Sequence, residues 1–156
     1  MKKLVSFILC LSILFSTAFA STIDWDTLFE DVRPKEEIET IELFLDILRV
    51  TYNKDEDFTA KFGFVLEYFS NVDIICAILT PKNLSKHSLN EAEFQTLQSE
   101  MEPVMKLMRD TWYESLEAFG ITGTRIVVFC NTDDIDTQRI AEVWWDDQAD
   151  SDFKKP

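Results

Sequence analysis

From Phe94 to Phe119 the apolar residues recur every three or four positions: Phe94, Leu97, Met101, Val104, Met108, Trp112, Leu116 and Phe119. Only a helix of period 3.6 gathers such residues onto one face, so the spacing predicts a long helix over about 89–119 that must lie along a core. Ser88 followed by Glu91 has the form of a capping box at its start, and Asn90, Glu91 and Glu93 suit a first turn. Gly120 suits its end. Pro103 falls inside the pattern and predicts a kink or a division, since proline lacks the N–H that the preceding turn needs. Glu102, Lys106 and Asp110 alternate in charge at four-residue spacing, as on a solvated face.

Other segments are read against this helix. Pro34, with Glu36, Glu37 and Glu39 after it, marks a second helix running to about Tyr52. Its main stripe is Ile38, Ile41, Phe44, Leu45, Leu48 and Tyr52. Leu43, Ile47 and Val50 fall on another face, so this helix is either central in the domain or shared with a partner. Ser21 to Val32 reads as a short helical turn around Trp25, Leu28 and Phe29. After the polar break Asn53–Asp57, the positions Phe58, Phe62, Val65, Leu66 and Phe69 follow helical spacing. Val72–Thr80 is a short Ile-rich run that reads as a buried strand. Thr124–Cys130 is the clearest strand, and 138–145 reads as its hairpin partner across an acidic loop. The expected fold is α+β: several helices, including the Pro-kinked one over 89–119, on a small sheet of about three strands (72–80, 124–130 and 138–145).

Composition narrows function mainly by exclusion. The chain of 156 residues carries a net charge of −14, with three Gly and one His. That excess of acid opposes binding to nucleic acid, which basic stripes recognise, and opposes anionic membrane surfaces. Three glycines supply neither a dinucleotide fingerprint nor a P-loop. One histidine rules out two-His metal motifs, and nothing in the residues asks for a cofactor.

Lys2 and Lys3, the apolar run Leu4–Phe15 and the small-x-small site Ala18-Phe19-Ala20 form the three-part pattern of a secretory signal peptide. Residues 1–20 are therefore expected to be removed, leaving 21–156 as a single domain that is periplasmic or secreted, with no stable membrane insertion afterwards. Cys10 follows Leu9 and so lacks the small residue that lipoprotein processing needs. Cys76 and Cys130 remain, an even count in an oxidising compartment, and are expected to form a disulfide between neighbouring strands. Such a bridge, closing about 55 residues, is worth ~4 kcal/mol by chain entropy.

Candidates for chemistry are few. His87 stands in a polar loop near Ser85 and Ser88, and adjacency in sequence supplies no triad. Asp73 and Glu142 are the acids whose sequence neighbours are apolar, and a glycan hydrolase would need one such acid with a raised pKa. Asp133, Asp134 and Asp136 share a loop whose spacing is not that of an EF-hand, and Asp55 with Asp57 fails the same pattern. Both read as solvated acids. Trp144-Trp145-Asp146-Asp147 is the most unusual run. Alternation along a strand sends one ring inward and the other outward, where it can stack on a sugar or a cation.

Three function classes follow. The leading one is a binding or interaction module for a cationic partner, a basic envelope protein or peptide. It would be framed by Asp133, Asp134, Asp136, Trp144, Trp145, Asp146 and Asp147. The others are a carboxylate-dependent glycan hydrolase and a structural or assembly subunit docking through the second face of helix 34–52.

Overall fold

The computed structural model describes residues 30–82, 90–132 and 139–146. The expected signal peptide, the segment 21–29, Ser85, His87, Ser88, Asp133, Asp134, Asp136 and Asp147 lie outside the described residues. The elements run in the order α1 (Lys35–Lys54), α2 (Glu56–Lys61), β1 (Phe62–Phe69), β2 (Ile74–Pro81), α3 (Glu91–Ala118), β3 (Arg125–Asn131) and β4 (Arg139–Val143). The architecture is mixed α+β, with helices packed against a four-stranded sheet of order β1-β2-β3-β4.

Local chemistry sets the element boundaries. Pro34 caps α1 rather than opening its first turn, and Glu36 and Glu37 occupy that turn. The Asp55 carboxylate accepts the Phe58 N–H at 3.0 Å and so caps α2. The long helix starts later than Ser88 and Glu91 suggested. Asn90 is its cap, and the capping box is closed by Glu93, each side chain accepting the other's backbone N–H. The helix is continuous through Pro103. It ends as Gly120 implied. Gly120 takes a φ of 80°, its N–H donates to Glu117, and the Ile121 N–H donates to Leu116. Those two bonds, with Leu116 and Ile121 both buried, form a Schellman cap.

Strand β1 corrects the reading of Phe58–Phe69 as one helix. The run Phe62–Phe69 is apolar in two phases at once, so it matches helical and strand spacing equally. Aromatic content favours the strand, and an Ile-rich partner is available. β1 pairs antiparallel with β2 from Phe62↔Pro81 to Phe69↔Ile74. β2 pairs in parallel with β3, from Ile74↔Arg125 to Leu79↔Cys130. A parallel pair needs a crossover, and α3 supplies it. β3 and β4 pair antiparallel, with an irregularity between Cys130 and Asn131.

The main core lies between the helices and one face of the sheet. Leu66, Ile75, Ala77, Leu79, Ile126, Val128, Cys130, Ala141 and Val143 meet Ile41, Phe44 and Leu45 of α1 and Met101, Met105, Met108, Trp112 and Leu116 of α3. Rings at 6.2 Å for Phe44–Phe119 and 6.3 Å for Tyr52–Trp112 set α1 and α3 antiparallel, side by side. Met105 takes the place expected of Val104, which faces solvent. Leu97 is only partly buried, and Phe119 is 51% exposed just past the helix end.

The expected disulfide between Cys76 and Cys130 is absent, and both residues are buried. Their strands are neighbours, as anticipated, but the register defeats the bond. Cys76 is opposite Val127, while Cys130 is opposite Leu79, three positions further along. Alternation also sends Cys130 into the helix-side core and Cys76 to the other face. Burial pushes the Cys130 thiol up to about 12, which makes it a poor nucleophile.

Two outcomes test this arrangement. Met105→Ala should cost ~2–5 kcal/mol in urea unfolding, whereas Val104→Ala should stay within about 0.5 kcal/mol. The denatured, unreduced protein should yield two alkylated thiols from Cys76 and Cys130 by mass spectrometry. Protection of both would restore the disulfide.

Candidate interaction surface

Helix α1 carries two apolar stripes. Ile41, Phe44 and Leu45 are buried, which fixes the orientation of the helix. At ~100° per residue, Leu43, Ile47 and Val50 then fall on a common line on the outward side. They are 59%, 49% and 51% exposed. A single exposed leucine is ordinary, but three aligned branched side chains on one helix make a patch. Acids border it. Glu39 and Asp46 are exposed beside the line and Glu42 is half-exposed. Lys35 reaches Glu39 at 3.5 Å, and Arg49 reaches Asp46 at 2.7 Å and Glu42 at 3.6 Å. Arg49 is also turned toward the sheet, where its Nη2 and Nε donate to the Leu66 carbonyl at 2.8 and 3.2 Å. A smaller apolar pair, Val104 and Leu107, is exposed on α3.

Asp73 sits at the hairpin turn before β2 and takes a left-handed φ of 52°, a conformation that Asp tolerates better than most residues. Its Oδ1 accepts from Arg33 Nε at 2.8 Å and from the Tyr68 hydroxyl at 2.9 Å. The same guanidinium donates to Glu37 at 2.6 Å and to the Thr122 carbonyl at 2.5 Å. Burial alone would raise the Asp73 carboxyl. The hydrogen bonds from Arg33 and Tyr68 outweigh it and hold Asp73 below the usual range. Burial, then the bond to Asp73, pushes the Tyr68 hydroxyl up. A carboxylate held ionised this way is a structural tie. A general acid requires the opposite shift.

Glu142, the other acid singled out, pairs with Arg139 at 2.8 Å on β4. The tryptophan pair lies just past β4. Trp144 is only 3% exposed and stands edge-on to Phe129 at 5.8 Å. Trp145 is partly buried and does receive a cation, but from within the chain: the Arg125 guanidinium lies 5.2 Å from its ring. Arg139 stacks on Phe129 at 3.8 Å. Asp146 is exposed. Of the expected frame, Trp144, Trp145 and Asp146 are described, and Trp144 is buried rather than open; Asp133, Asp134, Asp136 and Asp147 lie outside the described residues. Among the described residues, no group of three or more His, Cys, Asp and Glu side chains is placed to hold a metal ion. No described helix is long and apolar enough to cross a membrane.

No family model, curated protein or solved structure matches this chain. The Arg33 tie escaped the sequence reading because it joins residues 40 and 89 positions apart. The stripe on α1 was visible as its second apolar phase.

The tie has a pH signature. Asp73 is depressed in the folded state, so its contribution is fully present above the unfolded carboxylate value and is lost as pH falls through the folded one. Asp73→Asn keeps the turn conformation accessible and should cost about 1.5–3 kcal/mol near neutral pH, as for a hydrogen bond to a charged group. Chemical denaturation across pH should show the gap between the two proteins closing in acid. A gap that persists there would remove the ionic account.

Proposed function

We propose that the protein is an exported, acidic interaction module that docks a basic, amphipathic protein segment on the outer face of α1. The observation that carries this reading is the apolar line Leu43, Ile47, Val50 bordered by Glu39, Glu42 and Asp46. Apolar side chains in the groove of such a partner would supply affinity, and its Lys and Arg would meet the acids. The net charge of −14 steers such a partner from a distance. Asp133, Asp134, Asp136, Asp146 and Asp147 add to that field. The same charge opposes nucleic acid and anionic membrane. Export rests on the leader pattern of residues 1–20. The reading as an assembly subunit uses the same stripe and differs only in how permanent the contact is. The glycan-hydrolase reading has no comparable support, since Asp73 is held ionised by Arg33 and Tyr68.

The test is capture of a partner from an envelope fraction at low and high salt, followed by kinetics with variants. Glu42→Gln with Asp46→Asn should slow association, with the difference vanishing at high salt. Ile47→Ser should instead speed dissociation, because apolar contact governs the lifetime of the complex. Both variants should leave folding nearly unchanged. A partner bound equally well by Ile47→Ser would take the stripe out of the interface.

A further inference from the structure

Six of the eight large apolar side chains that stand exposed among the described residues lie on α1 and α3 or at the end of α3: Leu43, Ile47, Val50, Val104, Leu107 and Phe119. The two helices run antiparallel, with Phe44 beside Phe119 and Tyr52 beside Trp112. Val104 and Leu107 precede Trp112, so they lie further along the seam, past the end of α1. From Leu43 to Tyr52, and then from Trp112 back to Val104, is about 17 residues, or ~25 Å at the helical rise. Thr40 and Thr51 of α1 and Ser115 of α3 border the seam. Their hydroxyls donate to the Glu36, Ile47 and Thr111 carbonyls at 2.8 Å each. Each donor is thus satisfied within its own helix, and covering it leaves none unpaired.

Backbone chemistry selects the shape of an occupant. Helices α1 and α3 bond their N–H and C=O groups internally, so a segment laid over them finds no backbone partner there. It must satisfy its own groups, which a helix does and an extended segment does not. Charge selects its composition. Glu39, Glu42 and Asp46 border the stripe on α1. On α3, Glu100 and Glu114 are exposed seven residues either side of Leu107, on the same line of the helix. Lys54 ends α1 between Val50 and Leu107, but exposed Asp55, Glu56 and Asp57 follow it, so that stretch is acidic on balance. Given the docking role of α1, on which this assignment rests, we infer that the partner segment is a basic α-helix of about 17 residues lying along the α1–α3 seam. Its apolar stripe faces the seam and its Lys and Arg meet acids on both banks. A second copy of this chain would bring the same acids to each bank and be repelled.

The probe is a labelled Leu–Lys peptide of about 18 residues whose leucines form one helical stripe, beside a peptide of the same composition with its leucines scattered. Fluorescence anisotropy should show the striped peptide binding the wild type more tightly, and difference circular dichroism should show it gaining helix as it binds. Ile47→Ser and Leu107→Gln should each weaken binding about tenfold. Val32→Ser, exposed elsewhere, should leave it unchanged. Val104→Gln gives the same readout should Leu107→Gln fail to fold. Weakening by Ile47→Ser but by neither α3 variant would overturn the seam and leave docking on α1 standing. Weakening by none of the three would overturn both. Binding without a gain of helix, or equal binding of the scattered peptide, would also overturn the assignment. So would a dimer of the protein alone that Leu107→Gln dissolves in sedimentation, since the seam would then belong to a second copy. Capture on phosphatidylcholine vesicles that Leu107→Gln abolishes would give the seam to a lipid surface instead and overturn it as well.

Discussion

The parallel pairing of β2 with β3 is the constraint on which the rest of the molecule depends. Both strands are apolar on both sides: Ile75, Ala77, Leu79, Ile126 and Val128 face the helices, while Ile74, Cys76, Val127 and Phe129 are buried on the other face. Strands of that kind must be central. Antiparallel neighbours flank them, and the crossover helix has to return over the sheet to make the parallel pair possible. Placement of α3 then creates the groove that α1 fills, with Phe44, Tyr52, Trp112 and Phe119 as the seam. The outward stripe of α1 is a by-product of this geometry, since a helix seated against sheet and α3 has its far side left over.

Charge and apolar surface are distributed with little overlap. Most of the acids lie on helix surfaces and in the loops, while the arginines are spent internally. Arg33 ties α1 to the β1–β2 turn, Arg109 donates to the Trp144 carbonyl, and Arg125 and Arg139 stack on aromatic rings. With these bases held against the fold, the exterior is more negative than the composition alone suggests. This gives an apolar line on α1 its acidic border.

Legibility in the sequence tracked the range of the interactions. The long helix, its Gly120 cap, the β3–β4 hairpin and the two phases of α1 are local patterns, and each was readable as periodicity or capping chemistry. Strand β1 was not, because an aromatic-rich run satisfies two periods and only its pairing with β2 decides between them. The Cys76–Cys130 expectation failed on register and facing, which no count of cysteines contains. Trp144 and Trp145 stood out in the sequence, but the guanidinium over Trp145 comes from the neighbouring strand. Of the expected site, the acids of the loop 133–136 lie outside the described residues, and the second face of α1, read as either buried or shared with a partner, is exposed.

The Arg33 guanidinium gathers Glu37, Asp73 and Thr122 at one point. These groups come from the start of the first helix, the hairpin turn and the loop entering β3, so they meet only after hairpin, crossover and parallel pair have formed. Closing such long loops costs entropy before the contact repays it, so such a tie is expected late in folding. A bond made late weighs on the reverse path: it holds back opening far more than it hastens assembly. Arg33 thus acts as a latch on the lifetime of the folded chain. For a protein read as working outside the cytoplasm, that lifetime bears directly on survival among proteases.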